Sequence, residues 1–318
     1  GASLTATAPQ TVTVTDDENP EFTVPLSDTV CRAIDCSYNI DPAITGEVTD
    51  ETDNCATGIV ATYSDDFSNL VSCEQAGYVI RTWRLEDGNG NDTEKDQIIW
   101  VEPVPVIVPV VTDTILCDSS FTEIRLTSPN IFTEDAVTFN YTVVATGGVT
   151  GFATPVTGLP VEHIIEDQLF NPTLDTQKVT YTITPESPGG CGNGELQTVT
   201  ITINPTPRLT VDIAERTYCD SSEAVFTVTD GLLSSTGPRV YSVFRDYSTD
   251  SVNIEGEDPG LDDNQPYGVN LTDQIRNLTN QTQTVRYTFR ALIKDPRGDG
   301  SLAECNEGLD TTIVLTIN

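Results

Sequence analysis

The chain has 318 residues, 37 % of them hydrophobic, and sets 49 acidic against 15 basic side chains for a formal charge of −34. So acidic a surface excludes nucleic acid and anionic membrane as partners, since both demand basic patches. No apolar run is long enough to insert in a membrane as a helix. Methionine is absent and lysine occurs only at Lys95, Lys178 and Lys294, while threonine and valine abound. That is an all-β composition.

The opening GASLTATAPQ has no charged n-region and no apolar h-region, so a piece excised from a longer, processed protein is expected. Residues 1–15 read as the closing strand of a preceding domain, and a first module occupies 16–104. Within it "GIVATYS" (58–64) and "YVIRTWRLEDGNGN" (78–91) are strand-like and set off by turn residues, with Trp83 as a core tryptophan.

The turn "DGNGND" (87–92) places Asp87, Asn89 and Asn91 at alternate positions, as oxygen-rich calcium loops do, although Asp92 stands where an EF-hand has glycine. The same stretch also reads as a hairpin turn on Asn89-Gly90. If 43–49 and 78–85 are strands B and F of an immunoglobulin-like sandwich, their loops share one end of the domain. Asp50, Asp53 and the linker acids Asp16, Asp17 and Glu18 then join Asp87 there, and Ca2+ would relieve their mutual repulsion.

Proline-rich joints follow. "VEPVPVIVP" (101–109) and "INPTPRL" (203–209) favour extended, semi-rigid backbone and introduce modules at 105–206 and 207–318. Both modules carry the tetrapeptide CDSS, at 117–120 and 219–222. "EDQLFNPTLDTQKVTYTI" (166–183) and "TDQIRNLTNQTQTVRYTF" (272–289) match at a constant offset of 106. Their ends place Val179, Tyr181 and Ile183, and Val285, Tyr287 and Phe289, on one face of a half-buried strand. Each module closes with a cysteine loop and a last strand, "CGNGELQTVTITINP" (191–205) and "CNEGLDTTIVLTIN" (305–318). The third also holds an acidic insertion at 246–264, read as a solvated loop or a cation site.

With eight cysteines, no CxxC pair and one histidine, disulfides are expected in preference to metal thiolates, which implies an oxidising, extracytoplasmic setting. The repeat suggests Cys117–Cys191 and Cys219–Cys305, each inside its own module. Cys31, Cys36, Cys55 and Cys73 allow three pairings; short-range closure favours Cys31–Cys36 and Cys55–Cys73, with Cys31–Cys73 plus Cys36–Cys55 open. Catalysis is poorly provided for, because a triad would have to use His163 and the thiols are taken up in cystines.

"VTDDENPEFTVP", "TDNC" and "IRTWRLEDGNGN" resemble the hyalin-like (HYR) repeat of SprB-type gliding-motility adhesins of Bacteroidota. Gly88 departs from that pattern, where a cysteine often precedes Gly-Asn. The run "LFNPTLDTQKVTYTITP" (169–185) resembles the PKD-like repeats of the same adhesins, and the third module keeps it except for Ala291 in place of proline. The resemblance implies a type 9 secretion substrate, an outer-membrane-attached filament at the cell surface that serves gliding and attachment. Its partners would be neighbouring domains of one long polypeptide and an external surface or polysaccharide. The expected fold is all-β: three tandem immunoglobulin-like sandwiches forming an extended rod, a stalk without catalytic residues. The competing reading is a carbohydrate-binding or enzyme-accessory module.

Overall fold

The computed structural model describes residues 9, 11–247, 253–256, 260–302 and 304–318. The closing strand expected at 1–15 and the insertion at 246–264 therefore lie partly outside the described residues; residues 11–15 carry no strand. Among the described residues, regular structure is β apart from one four-residue helical turn. The chain divides into two compact units: residues 1–106, 128–138 and 185–195, and residues 107–127, 139–184 and 196–318.

The first unit is built on a four-stranded sheet in the order Asp28–Cys31, Asp92–Glu102, Gly77–Glu86, Thr62–Asp66. Asp28–Cys31 lies parallel to its neighbour, and the other pairings are antiparallel. Alternation along Gly77–Glu86 sends Val79, Arg81, Trp83 and Leu85 into the core. Val79 packs with Val30, Ile99 and Val101; Trp83 and Leu85 pack with Phe22. A strand over 43–49 does not form. Pro42 starts a helical turn over Pro42–Thr45, the Asp41 side chain caps the Ala43 N–H, and Gly46 ends the turn at φ +99°.

Arginine in that core needs partners, and it has them. The Arg81 guanidinium makes two bonds to Asp65 (2.7 and 2.9 Å), one to Thr45 Oγ1 (2.9 Å) and one to the Ile40 carbonyl (2.7 Å). It also lies over the Tyr63 ring at 4.3 Å. Beside it Trp83 Nε1 donates to Gln97 Oε1 at 3.0 Å, and Gln97 Nε2 donates to the Thr45 carbonyl at 2.6 Å.

The second unit holds two sandwiches of one topology. In the earlier one, sheet Ile164–Ile165, Ile124–Thr127, Val108–Val111 faces sheet Ile115–Leu116, Gln197–Ile203, Gln177–Glu186, Thr138–Ala145, Val156–Leu159. In the later one the corresponding strands are Leu209–Ile213, Ser222–Asp230 and Leu271–Asn277, opposite Thr217–Tyr218, Thr311–Ile317, Gln283–Lys294, Arg239–Tyr247 and Gly260–Pro266. Val179, Tyr181 and Ile183 are buried, as are Val285, Tyr287 and Phe289, on the faces their alternation predicts. Across the later core Phe226 meets Tyr287 and Phe289 with ring centroids at 4.6 and 5.4 Å.

The cystines differ from every pairing expected. They are Cys31–Cys191, Cys36–Cys73 and Cys117–Cys305; Cys55 and Cys219 are free and exposed. Register explains why Cys117–Cys191 and Cys219–Cys305 do not form. Tyr218 pairs in parallel with Ile317, which sets Cys219 beside the end of the last strand, whereas Cys305 precedes the start of that strand. Seven strand residues span roughly 23 Å, while cystine Cα atoms stand about 4.4–6.8 Å apart. Leu116 pairs with Ile203 in the same manner, so Cys117 has the same placement. In the first module Cys31 ends its strand opposite Glu102 and is committed to Cys191, so Cys31–Cys36 is not formed. Cys73 is committed to Cys36, so Cys55–Cys73, Cys31–Cys73 and Cys36–Cys55 are not formed either.

Candidate metal centre and module joints

Three of the predicted metal-site residues converge. Carboxylate oxygens of Asp16, Asp53 and Asp87 all lie within 4.8 Å of one another. Asp87 is only 7 % exposed. Its Oδ1 accepts the backbone N–H groups of Asn89 (2.7 Å), Gly90 (3.0 Å) and Asn91 (3.1 Å), and its Oδ2 accepts from Asn91 Nδ2 (2.7 Å). The DGNGN sequence makes this nest, because Gly88 and Gly90 adopt φ +82° and +110° and turn successive N–H groups toward one oxygen. Burial pushes the Asp87 carboxyl up, but these bonds outweigh it and hold it below the ordinary carboxylate value.

Asn89 and Asn91 sit at the cluster but turn their amide N–H groups toward it. Asn89 Nδ2 donates to Asp16 Oδ2 (3.2 Å) and Asn91 Nδ2 to the Asp16 carbonyl (3.2 Å). Asp53 Oδ2 accepts from Cys55 N (2.8 Å) and Ala56 N (2.5 Å), while its Oδ1 is buried without a hydrogen-bond partner. Glu18 is adjacent through Asn54, whose Nδ2 donates to it at 3.0 Å. Asp50 is engaged elsewhere, accepting the Thr23 N–H at 2.9 Å, and Asp17 is exposed outside the group. Partial desolvation first, then the charges of Asp16 and Asp53, push the Cys55 thiol up. The donor set is hard oxygen, of the kind that takes Ca2+ in preference to softer metals.

The second arrangement was not anticipated: a repeated set of contacts at the two proline-rich linkers, the first within one compact unit and the second within the other. At the first, Cys31 bonds Cys191, the Glu102 carboxylate accepts the Thr133 N–H (3.2 Å), and Gly194 packs on the Pro105 carbonyl. At the second, Cys117 bonds Cys305, Asn204 Oδ1 accepts the Thr236 N–H (2.9 Å), and Gly308 packs on the Pro207 carbonyl. A Cβ at Gly194 or Gly308 would stand 1.7 or 2.2 Å from the carbonyl oxygen, so only glycine fits. Glu102 and Asn204 hold the same place, each where the last strand meets the strand bearing the cysteine. Leu174, Leu232, Ile293 and Leu302 surround the second cystine, the Leu174 carbonyl accepts Leu233 N–H (2.9 Å), and Arg297 pairs with Asp113 (2.8 Å).

CDSS itself proves to be a turn. The first serine takes left-handed backbone in both copies, Ser119 at φ +63° and Ser221 at +60°. The aspartate accepts a backbone N–H, Asp118 from Asn171 (2.7 Å) and Asp220 from Asn277 (2.8 Å). Those asparagines are buried and donate to the end of the last strand, at Ile203 and Ile317. Their carbonyl oxygens accept from Thr173 and Thr279, which explains the repeated Asn-x-Thr.

Residues 114–207 match the PKD-like domain family. The match covers the sandwich whose CDSS turn and closing strand are described above, and the following sandwich repeats the topology of this PKD-like domain. No curated protein matches the chain as a sequence. Among solved structures it is similar to the human desmocollin-1 ectodomain (13 % identity, 93 % of this chain, 60 % of that one, TM-score 0.39). It is similar also to mouse cadherin-23 EC22-24 (13 %, 95 % and 99 %, 0.38) and to the Yersinia pseudotuberculosis adhesin InvE (14 %, 67 % and 58 %, 0.25). The chain thus spans about three fifths of the desmocollin-1 ectodomain. No helix among the described residues is long and apolar enough to cross a membrane.

Proposed function

We propose that this chain is a structural segment of an extracellular, cell-surface adhesin filament, of the SprB type used for gliding and attachment and exported by type 9 secretion. The first module is the HYR-like unit of that segment. One observation carries the reading: two long-range cystines, Cys31–Cys191 and Cys117–Cys305, each close over a proline-rich linker. Cross-links of that kind need an oxidising compartment, and they suit a part that transmits force better than one that turns over substrate. The acidic surface keeps such a filament soluble and off nucleic acid.

Ca2+ belongs to the same reading, held by Asp16, Asp53 and Asp87 with the buried, partnerless Asp53 Oδ1 as one donor. The ion would neutralise three converging carboxylates and tie the N-terminal stretch to the DGNGN turn.

Antibodies against the chain should label intact cells of the source organism and move along them as they glide. Labelling only after lysis would reject the surface assignment, and static labelling would reject gliding. A glycan array showing robust sugar binding would favour the carbohydrate-binding alternative. Calorimetric titration with Ca2+ should give heat that Asp87→Asn removes; no heat with the unaltered chain would remove the ion.

A further inference from the structure

Cys219 occupies in the third module the place that Cys31 and Cys117 occupy in the first and second. All three follow or end a short strand lying parallel to the closing strand of the module: Asp28–Cys31 on Asp92–Glu102, Ile115–Leu116 on Gln197–Ile203, Thr217–Tyr218 on Thr311–Ile317. The first two bond the cysteine of a Cys-x-x-Gly loop in the module that comes next, Cys191 and Cys305. The remaining parts of the joint are repeated around Cys219. Asp220 accepts the Asn277 N–H as Asp118 accepts that of Asn171. Ser221 has the backbone of Ser119. Asn318 donates its N–H to the Tyr218 carbonyl (2.9 Å) as Asn204 does to Leu116 (2.9 Å). Asn318 thereby stands where Glu102 and Asn204 receive a threonine N–H from the next module, and its Oδ1 accepts in addition from Thr282 Oγ1 at 3.2 Å. Cys219 is free and exposed.

We propose that Cys219 is the half-cystine of a third joint, closed by the Cys-x-x-Gly loop of a PKD-like module attached after Asn318, with Asn318 receiving that module's threonine N–H. Closure joins two thiols: each loses its proton, one S–S bond forms, and the two electrons released reduce a disulfide oxidant to two thiols that take up the protons. The partner loop is defined by its chemistry. It needs a cysteine to reach Cys219 and, three residues on, a glycine with no Cβ to strike the linker carbonyl.

The inference goes beyond the surface-filament reading and does not depend on it. The test is the full chain followed by a second copy of residues 205–318, so that Asn318 precedes Pro205 as Asn204 does, refolded with glutathione disulfide and mapped by non-reducing digestion. The expected map adds one linked peptide, Cys219 with the appended copy's counterpart of Cys305, to Cys31–Cys191, Cys36–Cys73 and Cys117–Cys305. Alkylation should then find two thiols per chain, Cys55 and the appended counterpart of Cys219. Cys219→Ser should delete the new peptide and leave the other three. Cys219 recovered as a thiol, or bonded to Cys55, would overturn the proposal. A second measurement is independent of how the fusion folds: in protein taken from the cells that make it, the Cys219 peptide should be linked to a peptide carrying Cys-x-x-Gly. A free Cys219 there would overturn it as well.

Discussion

Tyr181 donates its phenolic hydroxyl to Asp167 Oδ2 at 2.8 Å inside the PKD-like domain, and Tyr287 and Asp273 repeat the pair in the following sandwich. Burial, and then the Asp167 bond, push the Tyr181 hydroxyl well up, so it stays a donor at any physiological pH. Burial also pushes the Asp167 carboxyl up, with the Tyr181 bond opposing. Tyr181→Phe should cost about 1 kcal/mol in urea denaturation, because the half-buried Asp167 carboxylate loses a donor. Asp167→Asn keeps an acceptor without a charge and should cost less. Since the folded pKa of Asp167 is raised, its favourable contribution is complete in acid and lost as pH rises through that value. The Asn variant should therefore gain on the unaltered chain between pH 3 and pH 7; a constant difference would count against the assignment.

Asn171 and Asn277 should be the costliest single polar residues of their sandwiches. Each side chain satisfies two carbonyls and accepts from a threonine, and each backbone N–H is held by the CDSS aspartate. Asn171→Ala should lose about 2–3 kcal/mol, and Asn171→Asp nearly as much, since the donors are what is missing. Denaturant midpoints of the two variants test this: an Asp variant as stable as the original would show that the carbonyl contacts contribute little. Asn277 lies in an N-x-T sequence, but its amide is fully used in the fold.

How much was readable beforehand follows from the range of each interaction. The alternation of Val179, Tyr181 and Ile183 is local, so the sequence placed their burial correctly. The CDSS echo and the repeat at an offset of 106 identified equivalent positions in two modules, and the two topologies agree. The cystines were missed because pairing depends on which end of the closing strand each cysteine approaches. That is a matter of parallel register between Tyr218 and Ile317, which no local pattern reveals. The signal that was available is Cys-x-x-Gly in both late loops, beside proline-rich linkers. At the acid cluster, Asp16, Asp53 and Asp87 were named and meet. Asp50 was misplaced because Pro42 turned the expected strand at 43–49 into a helical turn.

Arg81 is 1 % exposed and its charge is matched mainly by Asp65. Arg81→Met should destabilise the first unit by about 3–5 kcal/mol, as removal of one member of a buried ion pair does. Replacing both, Arg81→Met with Asp65→Leu, should recover part of that loss. A double variant no more stable than the single one would show that the bonds to Thr45 and Ile40, and not the ion pair, carry the effect.

Asp87→Asn gives a pH signature of opposite sense to that of Asp167. The carboxyl is held below its ordinary value, so its contribution is present above the unfolded pKa and disappears as pH falls through the folded one. Thermal melts should show the variant less stable than the original at pH 7, with the two curves converging below about pH 4. Parallel curves across that range would mean that the nest of N–H groups does not depend on the charge.

The two long cystines also interlock along the chain: the stretch closed by Cys31–Cys191 overlaps that closed by Cys117–Cys305. Trace any route from residue 31 to residue 305 and a second always exists. A protease that severs one peptide bond anywhere between them leaves the molecule in a single piece. Had each bridge stayed inside its own module, one nick in a proline linker would have parted it.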